Sequence, residues 1–146
     1  MKKGFPLVLL AAVLLPACVS APPEKPVRRN TGHDCSREIR IGDEVLKAMK
    51  NNRYRELALL LREGPLSGMS EQDFRTSERN MREQFGRIRS AEFLTELRTP
   101  LVRNLVWKVR FERKNREGGT LEQDMLFRLV TGTLDGRPVV LNFGFF

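Results

Sequence analysis

Apolar residues recur along this chain with two different periods, and the change falls at Gly86. From Asp34 to Lys50, Ile41, Val45, Leu46, Ala48 and Met49 follow the three-and-four spacing of an amphipathic helix. Asn51-Asn52 interrupts that pattern; Tyr54, Leu57, Leu60 and Leu61 resume it until Gly64-Pro65 ends it. Ser70, with Asp73 three residues on, reads as an N-cap in a variant capping box. The third helix it opens carries Phe74, Ser77, Met81 and Phe85 along one side and stops at Gly86. Beyond Gly86 the period becomes two. Ile88 to Arg98 forms a first strand and Pro100 breaks it; Leu105, Trp107, Val109 and Phe111 alternate with polar neighbours as far as the turn at 115–119. Leu121, Met125, Phe127 and Leu129 form the next alternating set, and Asp135-Gly136 turns into Val139, Leu141, Phe143 and Phe145. Alternation of this kind predicts antiparallel strands with one face buried. Helices followed by strands predict an α+β fold, with N-terminal helices packed on a curved antiparallel sheet of about four strands.

Register follows from keeping the large apolar groups on one side. A two-residue Asp135-Gly136 turn would set Leu129 opposite Asn142 and mix the faces. A three-residue loop, Leu134 to Gly136, sets Phe127 opposite Phe143 and Met125 opposite Phe145, and is the expected choice. The preceding hairpin places Trp107 opposite Phe127 and Arg110 opposite Asp124, so Trp107, Phe127 and Phe143 would form an aromatic row on the inner face.

The first residues follow neither period. Met1-Lys2-Lys3 is positive, and Phe5 to Leu15 is a short apolar run of signal-peptide length, too short for a membrane-spanning helix. Leu15-Pro16-Ala17-Cys18 then resembles the lipobox of bacterial lipoproteins, in which the cysteine is acylated and becomes the mature N-terminus. The resemblance implies a signal peptide over 1–17, lipid on Cys18, and a periplasmic or other cell-envelope location. Val19, where an inner-membrane retention signal would have Asp, implies the outer membrane. Residues 18–33, rich in proline and charge, read as a tether, and 34–146 as a single domain.

Charge and cysteine usage narrow the chemistry. The formal net charge is +8, but no nucleic-acid recognition motif accompanies it, and an exported protein would not meet that partner. The densest basic set, Arg110, Arg113, Lys114 and Arg116, falls at a hairpin tip, where it would meet anionic headgroups or cell-wall polymer, or simply be solvated. If Cys18 is lipidated, Cys35 is a lone thiol; if it is not, a Cys18–Cys35 bridge is open to it. His33 is the only histidine, and no paired Cys or His spacing marks a metal site. No metal and no cofactor are expected.

From about Ile39 to Phe146, "VLKAMKNNRYRELALLL", "FGRIRSAEFL", "VWKVRFER" and the final "GRPVVLNFGF" resemble the nuclear transport factor two-like (cystatin-like) superfamily. The resemblance implies a cone in which a bent sheet wraps a helix. Its enzymes carry acids or histidines on the strands, whereas the inward positions of the last three strands here offer no carboxylate or imidazole. No catalytic residue is therefore expected. The leading functional expectation is a lipid-anchored, non-catalytic interaction module, a homodimer or a component of an envelope complex, associating through Val106, Leu126, Val130 and Val140 on the outer sheet face. The alternative is a carrier or sensor of a small apolar ligand, held in a cone lined by Tyr54, Trp107, Phe127 and Phe143.

Overall fold

The chain folds as three helices followed by a four-stranded antiparallel sheet, in a computed structural model that describes residues 35–115 and 117–146. The helices are α1 (Ser36–Lys50), α2 (Tyr54–Leu61) and α3 (Glu71–Phe85). The strands are β1 (Arg87–Arg98), β2 (Arg103–Lys114), β3 (Thr120–Leu134) and β4 (Arg137–Phe145), ordered β1-β2-β3-β4 as a meander. The expected α+β architecture is therefore the observed one. The expectations for residues 1–34, including the lipobox, Cys18 and the tether, lie outside the described residues, as does Arg116. Among the described residues no helix is long and apolar enough to cross a membrane.

Local chemistry sets the helix boundaries. Glu38 in the first turn of α1 and Lys47 and Lys50 in the last oppose the helix dipole. Ser70 caps α3 as expected: its Oγ accepts from the Asp73 N–H at 3.1 Å, and the Ser70 N–H donates back to Asp73 Oδ2 at 3.3 Å. The apolar stripe of α1 packs Val45, Leu46 and Ala48 into the core, against Trp107, Val109 and Phe111 from β2.

One contact fixes how closely α1 lies on the sheet. Gly42 stands over the indole of Trp107, and a Cβ built there would lie 2.2 Å from Cη2 and 2.4 Å from Cζ2. The indole N–H donates to Asp43 Oδ1 at 2.9 Å, which satisfies the polar end of an otherwise enclosed ring. Tyr54 is likewise satisfied, donating to the Met69 carbonyl at 2.8 Å with its ring 6.0 Å from Phe74.

The β2–β3 register is as expected, with Trp107 opposite Phe127 and Arg110 opposite Asp124. The β3–β4 register differs. The chain uses the two-residue turn: Leu134 pairs with Arg137, and Asp135 and Gly136 take φ of 49° and 73°. The faces are not mixed, because Leu141 is an extra residue in β4 between Val140, opposite Thr131, and Asn142, opposite Val130. Phe127 therefore faces Phe145, not Phe143, and Leu129 faces Phe143. Directly paired rings run Phe93–Trp107–Phe127–Phe145 across all four strands, with centroids 5.2, 5.9 and 5.2 Å apart. Phe143 touches Phe127 only diagonally, at 6.1 Å.

Two further extra residues, Arg89 and Leu94, interrupt β1. The second has a chemical consequence. Strict alternation from Phe93 would send Thr95 and Leu97 inward; the extra residue sends Glu96 inward, opposite Leu105, and leaves Leu97 60% exposed on the outer face.

Candidate functional site

The middle of the cone is filled. Trp107 and Phe127 are completely buried, and Tyr54 spends its hydroxyl on the Met69 carbonyl. Of the four residues expected to line an apolar pocket, only Phe143 lines a well-formed apolar hollow. That hollow, about 480 Å³, is a groove between α3 and β4, closed behind by Met49, Leu57, Leu66 and Met69. Its apolar wall comes from Phe74, Met81 and Phe85 of α3 facing Phe143 and Phe145 of β4.

The helix stripe that forms this wall was visible in the sequence; the groove it leaves beside β4 was not. Ser77, Asn80, Gln84 and Asn142 supply neutral polar groups at the rim. Glu78 also lines it, but its carboxylate is held by Arg82 one turn along α3, with two guanidinium nitrogens on the same oxygen. The groove thus offers an apolar floor, neutral hydrogen-bonding groups and no free charge. Its volume falls within the range of small-molecule sites.

Besides Asp43, which takes the Trp107 indole N–H, two carboxylates turn inward at the other end of the sheet. Glu96 of β1 and Glu38 of α1 share Arg103 of β2, with N···O distances of 3.5 and 3.0 Å. Glu96 lies on β1, outside the last three strands for which no inward acid was expected; the extra residue Leu94 inverts the end of that strand, so alternation alone would have pointed Glu96 outward. The pairing is by charge rather than by aligned hydrogen bonds, since Glu96 Oε1 and Arg103 Nη1 are buried and neither makes one. Both acids are spent on that arginine. Cys35 carries a free thiol at the start of α1, where burial pushes its pKa up and the Glu96 carboxylate adds to the effect. A thiol kept protonated is a poor nucleophile.

The four residues expected to form an outer association face divide. Leu126 and Val130 face outward, opposite Lys108 and Asn104. Val106 also faces outward, but only 7% of it is exposed. Val140 is in the core at 1%, because the bulge at Leu141 turns it inward opposite Thr131. The apolar part of this face is completed by Leu97, while its other half is a ladder of ion pairs. Lys108 meets Glu92 at 2.9 Å, Arg110 grips Asp124 through two nitrogens at 2.9 and 3.2 Å, and Glu122 approaches Arg110 at 3.6 Å. The hydrogen bond from Arg110 holds the Asp124 carboxyl below the usual carboxylate range and raises the guanidinium in turn. Arg110 is thus engaged within the sheet. At the hairpin tip, Arg113 donates to the Gln84 carbonyl at 3.4 Å and Lys114 to the Thr120 hydroxyl at 3.4 Å.

No protein-family model and no curated protein match this chain. Among solved structures it is similar to a designed protein of the nuclear transport factor two-like type carrying five substitutions. That match has 12% identity over 75% of this chain and 96% of the designed one, with a TM-score of 0.49. It is also similar to a putative calcium/calmodulin-dependent protein kinase II association domain from Xanthomonas campestris, with 13% identity, 86% of this chain and 91% of that one covered, and a TM-score of 0.44. Likenesses this distant assign neither family nor activity.

Proposed function

We propose that this chain is a lipid-anchored, non-catalytic binding protein of the cell envelope that takes an apolar chain into the groove between α3 and β4. The observation that carries the reading is the groove itself: a hollow of about 480 Å³ with an aromatic and methionine wall and its one carboxylate neutralised by Arg82. Methionines at positions 49, 69 and 81 suit an occupant of loosely specified shape, because an unbranched thioether repacks at little cost. Catalysis has little to work with, since an acid or base must be free to exchange a proton with substrate. Glu38 and Glu96 are held by Arg103. The anchor rests on the lipobox resemblance at Cys18.

Each buried methylene contributes ~0.8 kcal/mol, which is about fourfold in affinity. Titrating residues 34–146 with n-alkyl carboxylates or alcohols of increasing length should therefore lower Kd by about fourfold per carbon, then reach a plateau when the groove is full. Ser77→Trp projects into the groove from an exposed position on α3 and should weaken the longest ligand by roughly tenfold. A flat response to chain length, or an unchanged Kd in Ser77→Trp, overturns the reading.

A second reading is favoured by the outer face, where Leu97 and Leu126 stand exposed beside Val130. On that reading the domain pairs with a second copy through this face. Sedimentation equilibrium of residues 34–146 should then give a dimer that Leu126→Glu converts to monomer; a monomer at all concentrations removes it.

A further inference from the structure

We propose that the end of the domain where α1 begins is a seat for an anionic bilayer, with leucines at its turns entering the headgroup layer and arginines around them meeting lipid phosphates. Three hollows there are contiguous. One, between α1, α2 and the start of β4, shares Glu63 and Val139 with a second beside the β3–β4 turn, and the second shares Leu101 and Val102 with a third under the β1–β2 turn. From this surface rise Leu101, 87% exposed at the β1–β2 turn, Leu59, 64% exposed on α2, and Leu134 at the β3–β4 turn. Large aliphatic side chains on two turns and one helix make separate protrusions rather than a flat patch. That shape suits insertion between headgroups better than packing against a folded surface.

The exposed charges around these leucines are mostly basic, with Glu63 and Asp135 the exposed acids that flank them among the described residues. Arg37, Arg62, Arg98 and Arg137 are all exposed. Arg62 and Arg137 share one acid, Glu63, at 3.5 and 3.6 Å, and neither Arg37 nor Arg98 has an ion-pair partner among the described residues. Arginines flanking inserted leucines can lay their stems on apolar surface while their heads reach phosphate. By contrast, Arg110 at the opposite end of β2 is committed to Asp124 and Glu122.

The course of the chain agrees with this orientation. The described residues begin at Cys35, at the N-terminus of α1, where Glu38 meets Arg103 beside the β1–β2 turn. This step rests on the anchored reading: the stretch from Cys18 to Cys35 reaches at most roughly 60 Å fully extended. An anchor attached on this side holds the leucine-bearing end near the bilayer at high effective concentration.

The test uses the full chain with phosphatidylcholine vesicles carrying brominated acyl chains, with and without about one-third phosphatidylglycerol. Leu101→Trp places a reporter at the proposed seat and Leu121→Trp one at the far end, both at exposed positions; native Trp107 is enclosed and common to both. The emission of Leu101→Trp should be quenched more strongly with phosphatidylglycerol present, and that of Leu121→Trp should not. Arg37→Glu with Arg98→Glu should remove more than about half of the quenching at position 101 while the protein still floats with the vesicles. Flotation reports the anchor and quenching reports the seat. A chain that floats without quenching at 101, or with equal quenching at 121, overturns the seat alone. A chain that fails to float overturns both.

Discussion

Replacing Gly42 with alanine lowers the stability of the domain by about 2–3 kcal/mol, even though the change improves the intrinsic helix propensity of α1 by about 1 kcal/mol. The sign is decided by what the new methyl group meets. It would arrive 2.2 Å from Cη2 and 2.4 Å from Cζ2 of Trp107, well inside contact distance. The indole has no room to retreat, because it is completely buried, bonded through Nε1 to Asp43 and held edge-on by Phe93 and Phe127. Relief must come from lifting α1 off the sheet, which loosens Val45, Leu46 and Ala48 together. Urea denaturation measures the loss. A double-mutant cycle identifies its cause: Trp107→Phe removes the ring that the methyl group strikes and alone costs about 1–3 kcal/mol. The combined variant should be more stable than the sum of the two changes predicts, by at least about 1 kcal/mol. A Gly42→Ala protein as stable as the parent would show that α1 does not lie this close.

Gly86→Ala should cost about 2–4 kcal/mol, for a reason that lies in the backbone. Gly86 ends α3 and admits the chain to β1 with φ 95° and ψ −151°, a region that residues bearing a Cβ avoid at a cost of roughly 1–3 kcal/mol. The added atom would also stand 2.2 Å from the carbonyl oxygen and 2.7 Å from the carbonyl carbon of Glu112. That carbonyl belongs to β2 and cannot rotate away without breaking the ladder. For a domain of this size the expected fall in melting temperature is about 10 °C or more. Because Gly86 sets the departure of α3, the same variant should also weaken ligand binding in the groove. A melting temperature within a degree or two of the parent would contradict this backbone geometry.

The helices were legible because their signals are local. Ser70 and Asp73 cap within one turn, and the stripe Phe74–Met81–Phe85 has the period of a helix wherever that helix packs. The strands were legible as strands, and β2 and β3 by face as well, but the faces of β1 and β4 were not, since alternation assumes that no residue is skipped. Arg89, Leu94 and Leu141 each break the count. Turn chemistry at Asp135-Gly136 pointed to the tight turn, and the demand for one apolar face pointed to a longer loop; the protein satisfies both with a bulge several residues away. The same device sends Val140 inward and brings Glu96 to Arg103. The groove is a tertiary outcome. It exists because α3 leaves its aromatic side short of β4, and no periodicity records a distance between two elements.

All three extra residues lie on β1 or β4, the outermost strands of the sheet, and none on β2 or β3. An outer strand presents unsatisfied backbone groups to any neighbour able to align with them. A kinked border offers no straight run along which another copy could zip, and Pro138, having no amide hydrogen, weakens the border further at the start of β4. The irregularities that obscured the sequence pattern thus safeguard against open-ended polymerisation, and straightening β4 by deleting Leu141 would remove that safeguard.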